Sequence, residues 1–198
     1  MSQGILSGEE IRFQVQKGSI DIDPWNTERL NPASYDLTLG SQIVVYADAV
    51  EGDDLRGLRP NSERKPLHAA KENPVRVFNV APGEDIPIFP GIGYLMHTFE
   101  RIHTDVFVPI IDGKSSLGRL FVKVHETAGY GDPGFDGQYT LEVTCVQPVV
   151  LRVGMRICQM RFHTIVGEVR SYKEHKSNYT GVAAQGAVPS RAWRMFEP

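Results

Sequence analysis

The sequence predicts an all-β fold of the sandwich or barrel class, with one short helix at its start and a polar arm at its end. Three observations predict it. Short apolar and β-branched runs recur from Tyr35 to His163, punctuated by turn dipeptides such as Pro82-Gly83 and Pro90-Gly91, the pattern of sandwiches and barrels. Strands and helices do not alternate, which argues against a Rossmann-type sheet. The 198 residues are 41% hydrophobic and 23% charged, which suits one domain with its own core, since single domains run ~100–200 residues.

The helix comes first. Ser7-Gly8-Glu9-Glu10 reads as a capping box with Ser7 at N-cap and Glu10 at N3. Leu6 and Ile11 can form the accompanying hydrophobic staple, Ile11 and Val15 give an apolar stripe, and Gly18 ends the helix. Strands follow at 35–39, where Tyr35-Asp36-Leu37-Thr38-Leu39 alternates before Gly40, and at Gln42–Tyr46. Asp48 to Asn73 is rich in Asp, Arg, Lys and Pro and reads as a long excursion. Further strands are predicted at Val75–Val80, Glu84–Phe89, Gly93–Thr98, Val106–Ile111, Phe121–Glu126, Gln138–Val146, Val149–Val153 and Ile157–His163. From Gly167 no period persists. The predicted organisation is a β-domain over residues 1–166 and an arm over 167–198, which is either a frayed end or a segment that folds over a ligand.

Composition excludes several classes. A net charge of −3 provides no global positive field for nucleic acid or anionic membrane, so any phosphate binding is local. Cys145 and Cys158 lie in strand-like runs and are expected to be buried thiols rather than a disulfide. Met1-Ser2-Gln3-Gly4 leads straight into a polar helix, and no apolar run approaches the ~18 residues of a membrane span. A cytoplasmic protein in a reducing compartment is expected.

Two segments carry candidate chemistry. Gly113-Lys114-Ser115-Ser116 lacks the earlier glycine of a Walker A loop. It still places a glycine, two hydroxyls and the charges of Lys114 and Arg119 at a strand-to-helix turn, which is either an anion site or a capped turn with solvated charges. Thr127–Gly137 is a hairpin connection with four glycines, whose backbone can approach a ligand closely. Tyr130 or Phe135 can stack on a base or sugar there, or merely plug the hairpin. Glu142 follows in Tyr139-Thr140-Leu141-Glu142-Val143. A carboxylate in such a strand is either kept for chemistry or faces water, and alternation puts it on the side of Thr140. Zinc deamination requires His-x-Glu and Pro-Cys-x-x-Cys; neither spacing occurs, so no zinc is expected. There is no Gly-x-Ser-x-Gly elbow either.

The segments Asn31–Leu37, Gly113-Lys114-Ser115-Ser116-Leu117-Gly118-Arg119, Thr127–Gly137 with Leu141-Glu142, and Gln185–Arg191 occur in this order. Together they resemble the dCTP deaminase family of the dUTPase-like superfamily, and the resemblance runs from Leu6 to Arg191. It implies a distorted, jelly-roll-like β-barrel of the β-clip type, assembled as a homotrimer with sites between subunits and an arm that closes over each site. It implies that Ser115, Ser116 and Arg119, with Lys114, hold phosphate and position the attacking water, and that Ala128 orders the water and base together with Thr140 and Leu141. Tyr130 lines the same pocket, Asp132 contacts the sugar, and Tyr172 and Gln185 come from the arm. Glu142 shuttles the proton during attack of water on C4 of cytosine. Magnesium rides on the triphosphate oxygens.

The resemblance also bears on the product. Members that stop at dUTP carry a His-Arg pair where this chain has Gly129-Tyr130, so the dUMP-forming type with triphosphate cleavage is expected. The alternatives are a deaminase releasing dUTP, a dUTPase, and a non-catalytic nucleotide-binding trimer. A dUTPase carries a glycine-rich, phenylalanine-containing C-terminal motif that is absent here, and Ser115, Arg119 and Glu142 together argue against the last. The arm departs from the family at Asn178-Tyr179, where Lys-Tyr is usual, and Gly131 stands where an apolar residue is usual.

Overall fold

The structure is a computed structural model that describes residues 4–172, 174, 179 and 186–196. Two helices and fourteen strands run in chain order: α1 (Gly8–Lys17), β1 (Asp21–Asp23), β2 (Leu30–Asn31), β3 (Ser34–Thr38), β4 (Gln42–Tyr46), β5 (Val50–Glu51), β6 (Arg59–Pro60), β7 (Val75–Asn79), β8 (Asp85–Ile88), β9 (Tyr94–His103), β10 (Phe107–Gly113), α2 (Ser115–Gly118), β11 (Val122–Lys123), β12 (Asp136–Cys145), β13 (Val149–Arg152) and β14 (Arg156–Thr164). Helix α1 forms where its caps predict it. Ser7 Oγ accepts the Glu10 N–H at 3.2 Å, Gly18 turns left-handed at φ 79°, and both Leu6 and Ile11 are buried. The box is half closed: the Glu10 carboxylate takes the Gln14 amide at 2.7 Å.

Strands β11-β12-β9-β4-β7 form one sheet, with β1 also paired to β9, and β10-β14-β3-β2 form a second. The pairs β13-β8 and β5-β6 complete the set, and every registered pair is antiparallel. The predicted all-β fold is therefore present, but the sheets do not close into one barrel. Among the described residues, an isolated Leu39–Thr98 bridge is the one strand bridge between the two large sheets. The edge of β10 is taken up by the glycine-rich loop instead: Ile111 N–H donates to Gly129 O at 2.6 Å and Gly131 N–H to Pro109 O at 2.8 Å. A continuous core fills the interior, with Leu37, Ile43, Met96, Leu141, Val143 and Phe162 among its buried members. Each such side chain stabilises the fold by ~1.5–3 kcal/mol relative to exposure.

Two carboxylates lie inside this core, and both have partners, as burial requires. Glu100 is fully buried, accepts from Thr38 N–H at 2.8 Å and the Thr38 hydroxyl at 2.7 Å, and pairs with Arg29. Asp36 takes the ammonium of Lys114 at 2.5 Å and the Asn31 amide at 2.8 Å. Cys145 and Cys158 are buried and free, as expected, and burial raises the pKa of both thiols. The excursion 48–74 is less loop-like than predicted, because Val50, Leu55 and Leu58 are buried and anchor it to the core. The strand predicted over Phe121–Glu126 shrinks to β11, since Phe121 adopts φ 57° in the turn that leaves α2. Among the described residues no helix is long and apolar enough to cross a membrane.

Candidate active site

Strand β10 ends at Gly113, and Lys114 opens the single turn of α2. Leu117 is buried and seats this turn, which leaves Ser115, Ser116 and Arg119 exposed. The Lys114 ammonium is held by the buried Asp36, which Arg156 also approaches at 3.4 Å. Lys114 thus ties the start of α2 to β3, and the hydroxyls and guanidinium beside it face solvent.

Glu142 lies on β12 between the buried Leu141 and Val143, on the same face as Thr140 and Thr144. One carboxylate oxygen, Oε2, accepts the main-chain N–H of Glu126 at 3.1 Å. The Glu126 side chain turns to the Thr144 hydroxyl at 2.7 Å and to Lys123 at 3.3 Å. The Thr144 bond is the main reason the Glu126 carboxyl sits below its ordinary pKa. Glu142 is therefore neither deep in the core nor free in solvent. It is half-buried, with one oxygen anchored and one left for other partners.

The loop 127–137 runs alongside. Ala128, Tyr130 and Asp132 are exposed. Its glycines permit the expected close approach: a Cβ at Gly129 would stand 2.5 Å from Ile111 O. Phe135 packs edge-on against Tyr139, with ring centroids 4.8 Å apart, and against Tyr172 at 5.6 Å. Tyr172 N–H donates to Pro133 O at 2.7 Å, so the start of the arm lies on this loop.

Further along, the arm docks on the face that bears Glu142. Gly186 N–H donates to Gln138 Oε1 at 2.7 Å, Ala187 N–H to Gln42 Oε1 at 3.2 Å, Val188 N–H to the Thr140 hydroxyl at 3.0 Å, and Ser190 N–H to the Tyr46 hydroxyl at 3.1 Å. Gln185 lies outside the described residues, as does Asn178; the Tyr179 hydroxyl accepts from Arg191 N–H at 3.3 Å.

The chain thus brings Glu142, Thr140, the 127–137 loop and Tyr172 to one region. Among the described residues, no hydrogen bond or ion pair joins Ser115, Ser116 or Arg119 to Glu142 or Asp132. Sequence reading missed Glu126, whose contribution is a main-chain N–H and carries no side-chain signature. It also missed Gln42, Tyr46 and Gln138 as supports of the arm, since these pairings span from 48 to 145 residues of chain.

Comparison with known proteins bears on the family of the chain. The dCTP deaminase-like family model matches residues 5–165. A protein named "dCTP deaminase, dUMP-forming" from Hathewaya histolytica is 38% identical over 194 residues, covering 98% of this chain and 99% of that one. One of the same name from Clostridium acetobutylicum is 38% identical over 192 residues, covering 97% and 98%. The crystal structure of 2'-deoxycytidine 5'-triphosphate deaminase from Agrobacterium tumefaciens aligns with 83% of this chain at a TM-score of 0.59 and 21% identity. That alignment covers 49% of the Agrobacterium chain and supports the fold alone. With a family match across nearly the whole β-domain and close relatives of equal length, the chain belongs to the dCTP deaminase-like family.

Proposed function

We propose that the protein converts dCTP and two waters to dUMP, ammonia and pyrophosphate. The observation that carries the reading is Glu142. It is a half-buried carboxylate on an apolar strand with one oxygen fixed by Glu126 N–H, within a chain 38% identical to dUMP-forming relatives over nearly its full length. The free oxygen suits a proton shuttle: it takes the proton from water attacking C4 and returns one to the departing amine. Ser115, Ser116 and Arg119 hold the phosphates. Lys114, committed to Asp36, supports their turn and adds positive charge behind it. Ala128, Thr140 and Leu141 address the water and base chiefly through main-chain groups, since the Thr140 hydroxyl already receives the Val188 N–H. Tyr130 lines the pocket, Asp132 meets the sugar, and Tyr172 with Gln185 closes it from the arm.

With glycine and tyrosine at 129 and 130, space opens beside the ribose and α-phosphate for a second water. Attack in line on phosphorus then releases pyrophosphate, and Asp132 is the base that orients that water. Magnesium is held by substrate phosphates and water rather than by a protein cage, as is usual for this ion at nucleotide sites. When bound there, magnesium neutralises phosphate charge. The site forms between copies of a homotrimer in the cytoplasm.

Ion-exchange analysis of dCTP incubated with magnesium is expected to give dUMP, ammonia and pyrophosphate. Glu142→Gln is expected to lower deamination at least about a thousandfold while dCTP still binds, because the amide keeps the shape but cannot take the proton. Accumulation of dUTP with no pyrophosphate would leave a simple deaminase, and near-native turnover by Glu142→Gln would remove this carboxylate from the mechanism.

A further inference from the structure

We infer that Tyr139 is a positioning residue for the 131–135 loop and forms one unit with Gly131: the phenol sets the height of Asp132, and only a residue without a side chain at 131 accommodates it. The inference deepens the dCTP reading above and rests on it. Between Gln138 and Thr140 the pairing of β12 jumps from Arg101 to His97 on β9. Tyr139 falls in this irregularity, and its N–H goes to the Thr98 hydroxyl at 2.9 Å rather than to a strand partner. Such a break in the ladder re-aims a side chain, and this one carries the phenol beneath the loop. A Cβ at Gly131 would lie 2.5 Å from the Tyr139 oxygen, 3.0 Å from its ring and 3.0 Å from Pro109 Cγ, so the space is already filled from two sides. Gly131 is also pinned from above by its N–H on Pro109 O at 2.8 Å.

The other end of the loop rests on the same ring, through the edge-on contact of Phe135 at 4.8 Å. Asp132 therefore sits in a short span with both ends supported by Tyr139. Burial, with the nearby Asp132 charge added, raises the pKa of the phenol and keeps it neutral at working pH. Glu142 lies three residues further along the same strand. One element thus carries the proton-shuttling carboxylate and also supports the sugar-binding one. A loop displaced by a fraction of an ångström shifts Asp132 but not Glu142, which Glu126 and β9 hold independently. Substrate affinity, and the cleavage step that uses Asp132, should suffer more than deamination at C4.

The test is a double-mutant cycle on the full chain with dCTP and magnesium, reading KM, kcat and thermal melting. Gly131→Ala and Tyr139→Leu are each expected to raise KM about tenfold, with kcat for ammonia release changed less than about threefold. The double variant, in which the new methyl enters space the phenol has left, is expected to return to within about threefold of the native KM. Tyr139→Phe keeps the ring and is expected to raise KM less than about threefold. Single effects that multiply, a native KM in Gly131→Ala, or a Tyr139→Phe loss as large as that of Tyr139→Leu would each overturn the inference. Should Gly131→Ala fail to fold alone, a double variant that folds and binds dCTP is the expected rescue, and one that fails as well overturns it. A native chain that neither binds nor turns over dCTP sinks the functional reading and this inference together. Native turnover with independent single effects sinks this inference alone.

Discussion

His97 stands at the base of the site, opposite Thr140 in the register of β9 and β12. It is buried, and its Nε2 accepts the Gln42 N–H at 3.2 Å. Its Nδ1 must then carry the proton that it donates to Thr98 O at 2.8 Å. Burial pushes its pKa below the ordinary histidine value, against a smaller opposing pull from the Thr98 bond. The folded state thus disfavours the imidazolium, and the unfolded chain binds more protons in acid. Stability from this group is complete above the unfolded value of about 6.5 and is lost as pH falls below it. The melting temperature is expected to hold steady from pH 8 to 7 and to drop from about pH 6.5 to 5.5, with His97→Gln flattening that slope. Melting curves across this range check it, and an unchanged slope in His97→Gln would place the titration elsewhere. Sequence reading dismissed His97 as one scattered histidine among six, since nothing local marks a ring whose partners are main-chain groups. Glu142 was legible for the opposite reason: a carboxylate between two core residues is locally anomalous whatever its partners.

At the level of elements, α1 and most strands could be read because their signals are local: a capping serine, a left-handed glycine, apolar runs bounded by turns. The four short strands β1, β2, β5 and β6, of two or three residues each, carry no such period and were not predicted. The arm was legible as a change of composition and, by resemblance, as a closing segment, but its partners on the domain were not. Its grip comes from main-chain N–H groups reaching side chains of β4 and β12, with Ala187 buried against the domain. Removing residues 167–198 is therefore expected to cost stability as well as activity. Four hydrogen bonds at ~0.5–1.5 kcal/mol each, partly regained by water, suggest a loss of about 2 kcal/mol. That corresponds to a fall of ~4–8 °C for a domain of this size. Activity on dCTP is expected to fall at least about a hundredfold, since Tyr172 and the arm's closure are lost. A truncated chain with native kcat/KM would show that the arm is only a tail.

For the molecule as a whole, the two halves of the proposed site do not join within one chain. Ser115, Ser116 and Arg119 are exposed on and beside α2, while Glu142 is held by Glu126 and shares its strand with Thr140, which receives the arm. Around α2 the surface is also apolar: Leu120, Phe121 and Val146 are all exposed, and Val146 N–H is held on Phe121 O at 3.2 Å. Exposed apolar clusters of this kind mark contact surfaces. In the proposed homotrimer, a closed ring of copies would join the α2 half of one chain to the Glu142 half of the next, and would do so at every interface. Light scattering is expected to report three copies of the 22.1 kDa chain. The sharper prediction is complementation. Arg119→Ala and Glu142→Gln are each expected to be inactive alone. If both residues act in one site built by two chains, a trimer mixed at random from the two variants contains intact sites wherever a Glu142→Gln chain supplies Arg119 to an Arg119→Ala chain that supplies Glu142. One interface in four meets that condition, so unfolding and refolding the two variants together is expected to restore about a quarter of native activity. Sites built within single chains would restore none, because every chain in the mixture would carry one broken half.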